Sequence, residues 1–228
     1  MIRICRYFSL LFLLLFCIQF ANAQSSFDLN MGFGAAQDKS LGSVDINTLN
    51  ACPAGDTSCA TTSSLSGFML GFGANLMLWN HFGIGGDVSV QPAKQNYLTF
   101  QQQNNTTGTP GDILQSRVTF YEFNGIYQPV SSKKASLQLI GGIGAANVKF
   151  YEQLSSSSTV LGNSNQSQYA GSSNHFQVHG GVGVQIYVTD HLFIRPQFDV
   201  HFVNNFSQFG RNLVTSEMVW IGYSLGRQ

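Results

Sequence analysis

The sequence is short of charged residues, and it lacks a second long apolar run after the one near its N-terminus. Charged residues make up only 10% of the 228, and the 11 basic side chains balance the 11 acidic ones. This balance offers no basic surface for nucleic acid. No stretch after the N-terminal run could cross a membrane as a helix, so any membrane insertion would use strands. A hydrophobic content of 43% argues against intrinsic disorder.

The N-terminal run has the pattern of a secretion signal. Two arginines precede the apolar residues 10–18, and Ala21-Asn22-Ala23 fits a signal-peptidase site. We predict that residues 1–23 are removed. Residues 24–228 then form the mature chain, which has the length of a single domain.

Cysteine is scarce, with four copies in the whole chain, of which two lie in the predicted signal segment. The other two, Cys52 and Cys59, flank a turn-rich stretch, and we predict that they form a disulfide in an oxidising compartment. A metal site is the alternative, but no further ligand lies nearby in the sequence. Cys17 could serve as a lipoprotein anchor, although the bulky Phe16 precedes it where a small residue is expected.

Alternation of apolar with small or polar residues dominates the rest of the chain and predicts strands. In the clearest segment, 192–203, Leu192 and Ile194 share one face, whereas Arg195 and Gln197 share the other. Seven more segments alternate in this way: 27–35, 67–78, 84–91, 121–128, 137–150, 177–188 and 218–225. The segment 137–150 is the least regular, and we expect a bulge at Gly141-Gly142.

The connections between these segments alternate in length. Short links are predicted at 79–82, 129–134 and 189–191, and long links at 37–64, 101–113, 154–173 and 204–212. This alternation is typical of an up-and-down meander whose two ends face different compartments.

The composition of the two faces indicates which one points inward. One face of nearly every segment is large and apolar, whereas the other holds glycine, amides, hydroxyls and a few charged groups. A soluble barrel places its apolar face inward, but the polar face here is too small to cover such a core in water. We therefore expect apolar side chains to meet lipid and a closed sheet to satisfy the strand edges. The predicted fold is all-β, an eight-stranded antiparallel up-and-down transmembrane β-barrel.

With its strands placed, the chain resembles the small eight-stranded outer-membrane barrels of the OmpA/OmpX type. The resemblance covers residues 26–225 and includes the segments 189–196 (TDHLFIRP) and 220–226 (WIGYSLG). It implies a place in the outer membrane of a Gram-negative-type bacterium, contact with outer-membrane lipids, and insertion by the barrel-assembly machinery. Many such barrels end in an aromatic residue that this machinery recognises, whereas this chain ends Leu225-Gly226-Arg227-Gln228.

Seven ionisable residues fall on the predicted inward face, and we call them the lumen charge cluster. They are Asp28, Asp87, Glu122, His179, Arg195, Asp199 and His201. We expect them to plug and stiffen the lumen, with Arg195 paired to carboxylates, because an unpaired charge in a narrow space is costly. A gate or selectivity element of a small pore is the alternative.

No pattern indicates a catalytic, cofactor or metal site. His175 and His179 are four residues apart, a spacing that suits metal ligands on a helix better than on a strand. The lipid A deacylases carry a serine two residues after a histidine, and no histidine predicted on a strand has one. We predict a non-enzymatic protein with a structural or surface-interaction role, whose long polar links could bind a surface ligand. A narrow porin-like channel for small solutes is the alternative, although eight strands normally enclose only their own side chains.

Overall fold

The computed structural model describes residues 25–38, 59–61, 65–79, 81–100, 113–156, 164–205 and 212–226. Every regular element in these ranges is a β-strand. In chain order the strands are β1 (Ser26–Asp38), β2 (Cys59–Thr61), β3 (Gly67–Met77), β4 (Phe82–Val90), β5 (Gln95–Phe100), β6 (Ile113–Ser131), β7 (Ala135–Ser156), β8 (Ser164–Tyr187), β9 (Leu192–Val203) and β10 (Leu213–Leu225). Within these ranges no helix is long and apolar enough to cross a membrane.

Eight of the strands close into a ring. Their order is β6-β4-β3-β1-β10-β9-β8-β7, and β7 pairs back with β6. Every pairing in the ring is antiparallel. This ring confirms the predicted eight-stranded up-and-down barrel. Strands β2 and β5 were not predicted: β5 pairs with β6 beyond the end of β4, and β2 pairs with β5, so both extend the sheet at one end of the barrel.

Tight turns join the strands at one end of the barrel, which we call the short-turn end. Its links are 78–81, 132–134 and 188–191. The bond from Leu78 N to Phe82 O (2.9 Å) closes the first turn. Strands β1 and β10 also begin and end there. The opposite end is the long-link end, and this alternation of link lengths is the one expected from the sequence.

The hairpin of β7 and β8 is longer than predicted. These strands have 22 and 24 residues, whereas about 9–11 suffice to cross a bilayer. Their pairing continues to Ser156 opposite Ser164. Most of residues 154–173, predicted as a link, therefore continue the two strands beyond the barrel.

The predicted bulge at Gly141-Gly142 is wrong. The register of β7 runs without a shift through these glycines on both sides, with β6 and with β8. The irregularities lie at Tyr127/Val130 in the pairing of β6 with β7, and at Phe150/Tyr151 in the pairing of β7 with β8. The alternation in this segment is irregular because Ile140 and Val148 are apolar and point inward.

In the half of the barrel near the short-turn end, the apolar face points outward as expected. On β1, Leu29 and Met31 are 51% and 59% exposed, whereas Asp28 and Asn30 between them are buried. The same alternation continues on β6, where Phe123 is exposed and Asn124 is buried. Outward apolar and inward polar residues are the arrangement that a barrel in hydrocarbon needs.

Toward the long-link end, the two faces exchange character. On β6 the outward residues become Gln115, Arg117 and Thr119, while Val118 and Phe120 are buried inside. The exchange occurs at the same level on β7, because Asn147 is paired with Thr119 and carries the same outward position. On β10, the corresponding change from an apolar to a polar outward residue occurs at Glu217.

Buried inward apolar residues, most of them in this half, form a cluster that we call the upper apolar cluster. Its members are Ala36, Leu65, Met69, Val118, Phe120, Ala146, Val148, Val203, Val214, Met218 and Trp220. Gln91 closes the gap between β4 and β5 beside it: its side chain donates to Leu65 O (2.6 Å) and accepts from Val118 N (3.1 Å). The predicted polar lumen is therefore interrupted toward the long-link end by this apolar cluster, although buried polar residues such as Ser116 and Gln177 lie there as well.

Two predictions from the sequence lie outside the described residues. The signal segment 1–23 is one of them. The disulfide is the other, because neither Cys52 nor the side chain of Cys59 is described. Both stay predictions.

Candidate functional site

The lumen charge cluster lies on the inward face of the barrel. Asp28, Arg195, Asp199 and His201 are each at most 3% exposed. Its members are spread along the axis: Arg195 and His201, both on β9, are six residues apart, or about 20 Å at ~3.3 Å per residue. The structure therefore divides the cluster into separate groups along the lumen.

Arg195 is held by neutral partners near the short-turn end. Its Nη1 donates to Gln138 Oε1 (3.1 Å), and with the amide oxygen of Asn75 turned toward it, also to Asn75 (2.8 Å). Gln138 donates in turn to Gln185, which donates to Asp28 Oδ2 (3.2 Å). Arginine and aspartate are thus connected through two glutamines.

The expected direct pairing of Arg195 with a carboxylate is therefore wrong. The salt bridges among the described residues do not include Arg195. Asp28, Asp87 and Asp199 act on it electrostatically from a greater distance. The guanidinium also lies over the Trp220 ring, with Cζ 5.5 Å from the centroid. Amide acceptors and an aromatic face replace direct ion pairs because the strands place no carboxylate next to it.

Two aspartates occupy the middle of the lumen. Asn124 Nδ2 donates to Asp87 Oδ2 (2.7 Å), and Gln197 Nε2 donates to both carboxylate oxygens of Asp199 (3.0 and 2.9 Å). Asp87 is also directly opposite Glu122 in the pairing of β4 with β6. The two carboxyl groups are hydrogen-bonded to each other, and this contact requires a proton on one of them.

Glu122, His179 and His201 come together next to Asp87, on the long-link side of Asp199. Glu122 Oε1 lies 2.9 Å from His201 Nδ1 and 3.7 Å from His179 Nδ1. One ligand atom from each residue lies within 4.8 Å of the others. The histidines are directly opposite each other on β8 and β9, and Glu122 reaches them from β6. This group was missed from the sequence, because it requires the closure of the ring.

Neighbouring side chains fix the orientation of this group. Gln177 Nε2 donates to Glu122 Oε1 (3.0 Å), and His201 Nε2 lies 2.9 Å from Ser216 Oγ. Phe120 of the upper apolar cluster stacks on the His201 ring, with centroids 4.8 Å apart. The group thus lies directly below the apolar half of the lumen.

The projecting part of the β7–β8 hairpin offers a second candidate surface. Among the described residues, β8 pairs with β9 only from Gln177 onward, so the part of β8 before it pairs with β7 alone. Tyr151 and Tyr169 face each other across the hairpin, with ring centroids 6.0 Å apart. Lys94 Nζ lies 4.0 Å from the Tyr151 ring centroid and donates to Ser167 Oγ (2.6 Å). This surface is rich in hydroxyl and amide groups.

A serine and a histidine are hydrogen-bonded at the base of this projection. His175 Nε2 lies 2.9 Å from Ser173 Oγ, and His175 Nδ1 lies 3.1 Å from Asn204 O. The pattern sought in the sequence was a serine after the histidine, and here the serine comes two residues before it. This geometry is also common in proteins where it orients a polar side chain and no more.

The arrangement of strands and faces is that of a known family. Residues 8–212 match the family described as "Outer membrane protein beta-barrel domain". The chain belongs to this family, and its place is the outer membrane of a Gram-negative-type bacterium. The short-turn end is then the periplasmic end, and the long-link end is extracellular. The chain matches none of the curated proteins with which it was compared.

Three solved structures are similar to this chain at low sequence identity. A major outer membrane protein from Thermus thermophilus is 9% identical, with a TM-score of 0.56 over 88% of this chain and 99% of that one. Neisserial surface protein A is 12% identical, with a TM-score of 0.49 over 88% and 96%. The attachment invasion locus protein Ail of Yersinia pestis, in complex with the heparin analogue sucrose octasulfate, is 14% identical, with a TM-score of 0.47 over 88% and 99%. At these identities the likeness concerns the fold alone.

Proposed function

We propose that the protein is a structural barrel of the outer membrane that binds a partner at the cell surface through the projecting β7–β8 sheet. The observation that carries this proposal is the length of the hairpin, whose strands have 22 and 24 residues. About half of that length would cross the membrane. The side chains described in the remainder include Tyr151, Ser167 and Tyr169, whose hydroxyl groups suit a neutral, hydrogen-bonding ligand.

A hairpin truncation tests this proposal. Tyr151 and Tyr169 are paired, so replacing residues 152–168 by Asn-Gly would close the hairpin with a two-residue turn. Cells displaying either form are compared for adherence to a panel of immobilised proteins and polysaccharides. We expect both forms to fold, as shown by faster migration on gels before boiling, and only the wild type to adhere. Equal adherence by both forms on every surface would refute the proposal.

The alternative of a narrow channel is opposed by the interior of the barrel. The upper apolar cluster lies in the lumen toward the extracellular end, and apolar constrictions exclude water and ions. We therefore expect no steady conductance from the wild type in planar bilayers. Phe120→Ala, which removes a ring buried to 1% exposure, should give brief openings. Steady conductance by the wild type would favour the channel.

The outer-membrane location supports a proposal of lipid and assembly partners. Arg117 and Lys149 are directly opposite each other where the outward face becomes polar. Two cations at this level favour contact with the anionic headgroups of the outer leaflet. Insertion by the barrel-assembly machinery and removal of residues 1–23 are also part of the proposal.

We propose further that the protein has no catalytic role. The Ser173–His175 pair is the feature that most resembles a nucleophile and its base. The backbone carbonyl of Asn204 orients the His175 ring. This contact is consistent with a structural role for the pair at the end of the barrel strands. Lipid analysis of strains carrying the wild type or Ser173→Ala should show no difference. A lipid change that depends on Ser173 would contradict this.

A further inference from the structure

We propose that Glu122, His179 and His201 bind one divalent transition-metal ion inside the lumen. This inference goes beyond the proposed surface function and does not depend on it. The three residues come from β6, β8 and β9, so the ion would join two walls of the barrel.

The spacing of the ligand atoms fits such an ion. Tetrahedral zinc at about 2.0–2.1 Å from nitrogen and oxygen ligands keeps those ligands about 3.3 Å apart. Glu122 Oε1 lies 2.9 and 3.7 Å from the two histidine nitrogens, and all three ligand atoms lie within 4.8 Å of one another. Shifts of the buried side chains by less than about 1 Å would therefore complete the site.

His179 needs a partner that the surrounding protein does not supply. Its side chain is 1% exposed, and neither ring nitrogen has a hydrogen-bond partner among the described residues. Burying a polar group without a hydrogen bond costs about 1–3 kcal/mol in proteins. One of these nitrogens would coordinate the metal ion.

Glu122 and His201 already have hydrogen-bond partners of the kind that orient metal ligands. Ser216 Oγ lies 2.9 Å from His201 Nε2, so Nδ1, which lies 2.9 Å from Glu122 Oε1, stays available as a ligand atom. Gln177 donates to the Glu122 carboxylate at 3.0 Å. Such second contacts fix the ring orientation and the carboxylate position around a metal.

The chemistry of the donor atoms fits a transition metal. Asp87 is directly opposite Glu122 and hydrogen-bonded to it, so a second carboxyl group lies beside the three ligand residues. Two imidazoles and one carboxylate favour zinc or a neighbouring transition metal over calcium or magnesium, which take mainly oxygen ligands.

The test uses the full mature protein in detergent. Wild type and variants are folded with Zn²⁺, desalted, checked for migration before and after boiling, and analysed for metal content. The variants are Glu122→Gln, His179→Gln and His201→Gln, and the matched control is His175→Gln, four residues from His179 on the same strand. We expect one zinc per chain for wild type and control, and none for the other three. Ser216→Ala should weaken zinc binding about 10–100-fold.

A second measurement keeps the proposal testable if the three variants do not fold. X-ray absorption of the zinc-loaded wild type should show two imidazole ligands and oxygen. A spectrum with sulfur or with oxygen alone would overturn the proposal. So would a wild type without bound zinc, or a folded His179→Gln variant that retains one zinc per chain.

Discussion

Trp220 packs closely against two glycines of neighbouring strands. Gly32 and Gly71 lie side by side on β1 and β3, and the buried Trp220 side chain extends over both. A Cβ at Gly71 would lie 2.5 Å from Trp220 Cη2 and 2.9 Å from Cζ3. Carbon atoms pack at about 3.5–4.0 Å, so Gly71→Ala would require the indole to move by about 1 Å.

The ring has little space for this movement. Arg195 lies over it, and a Cβ at Gly71 would also be 3.1 Å from Met218 Cε. Overpacking of a filled interior costs about 1–3 kcal/mol, so Gly71→Ala should lower the free energy of unfolding by that amount. A smaller residue in place of Trp220 should relieve the strain. Gly71→Ala combined with Trp220→Phe should therefore lose less stability than the sum of the two single changes.

Urea unfolding in detergent, followed by the gel shift of the folded form, measures these differences. Gly125→Ala is the control, because a Cβ there would meet only Gly141 O at 3.6 Å, an ordinary contact on the outward face. Its stability should be unchanged or slightly higher. If Gly71→Ala proved as stable as Gly125→Ala, the tight packing of Trp220 in the lumen would be refuted.

Two further predictions concern the lumen and the lipid face. Arg195→Gln should lower the free energy of unfolding by at least about 2 kcal/mol, since hydrogen bonds to charged groups contribute about 1.5–3 kcal/mol. The carboxylates that act on Arg195 from a distance would also lose a counter-charge. The exposed Lys149→Gln is the control, and equal stability of the two variants would contradict the role of Arg195. Phe123→Arg places a cation on the outward face and should cost about 2–4 kcal/mol in lipid. Tyr169→Arg, on the projecting hairpin, should cost little, and a similar loss for both would contradict the membrane position.

Much of the fold could be predicted because alternation with period two is a strong signal. The ring strands and tight turns follow from it, and so does the outward position of residues such as Met31. The bulge at Gly141-Gly142 was predicted because Ile140 and Val148 broke the expected polar face. Both residues are buried on the inward face of a strand with regular register, and alternation alone does not reveal where apolar side chains occupy that face.

The grouping of inward residues could be predicted only in part. The sequence places Glu122, His179 and His201 on inward faces, yet their mutual distances depend on the register of β8 with β9 and on the reach from β6 across the ring. The amide chain from Arg195 to Asp28 depends on the same information. Contacts across a closed lumen join residues that are 57 or 157 positions apart, and no local pattern records them.

The exchange of the two faces also defines where the barrel stands in the membrane. On β7, outward apolar residues run from Leu137 to Ala145. These nine residues span about 30 Å along the strand at ~3.3 Å per residue, or about 23 Å of height at a tilt of about 40°, close to the ~25 Å apolar band of such barrels. Above that band, Arg117 and Lys149 form a charged collar. Both charges would have to enter hydrocarbon if the barrel slipped toward the periplasm, so this pair of cations opposes that displacement.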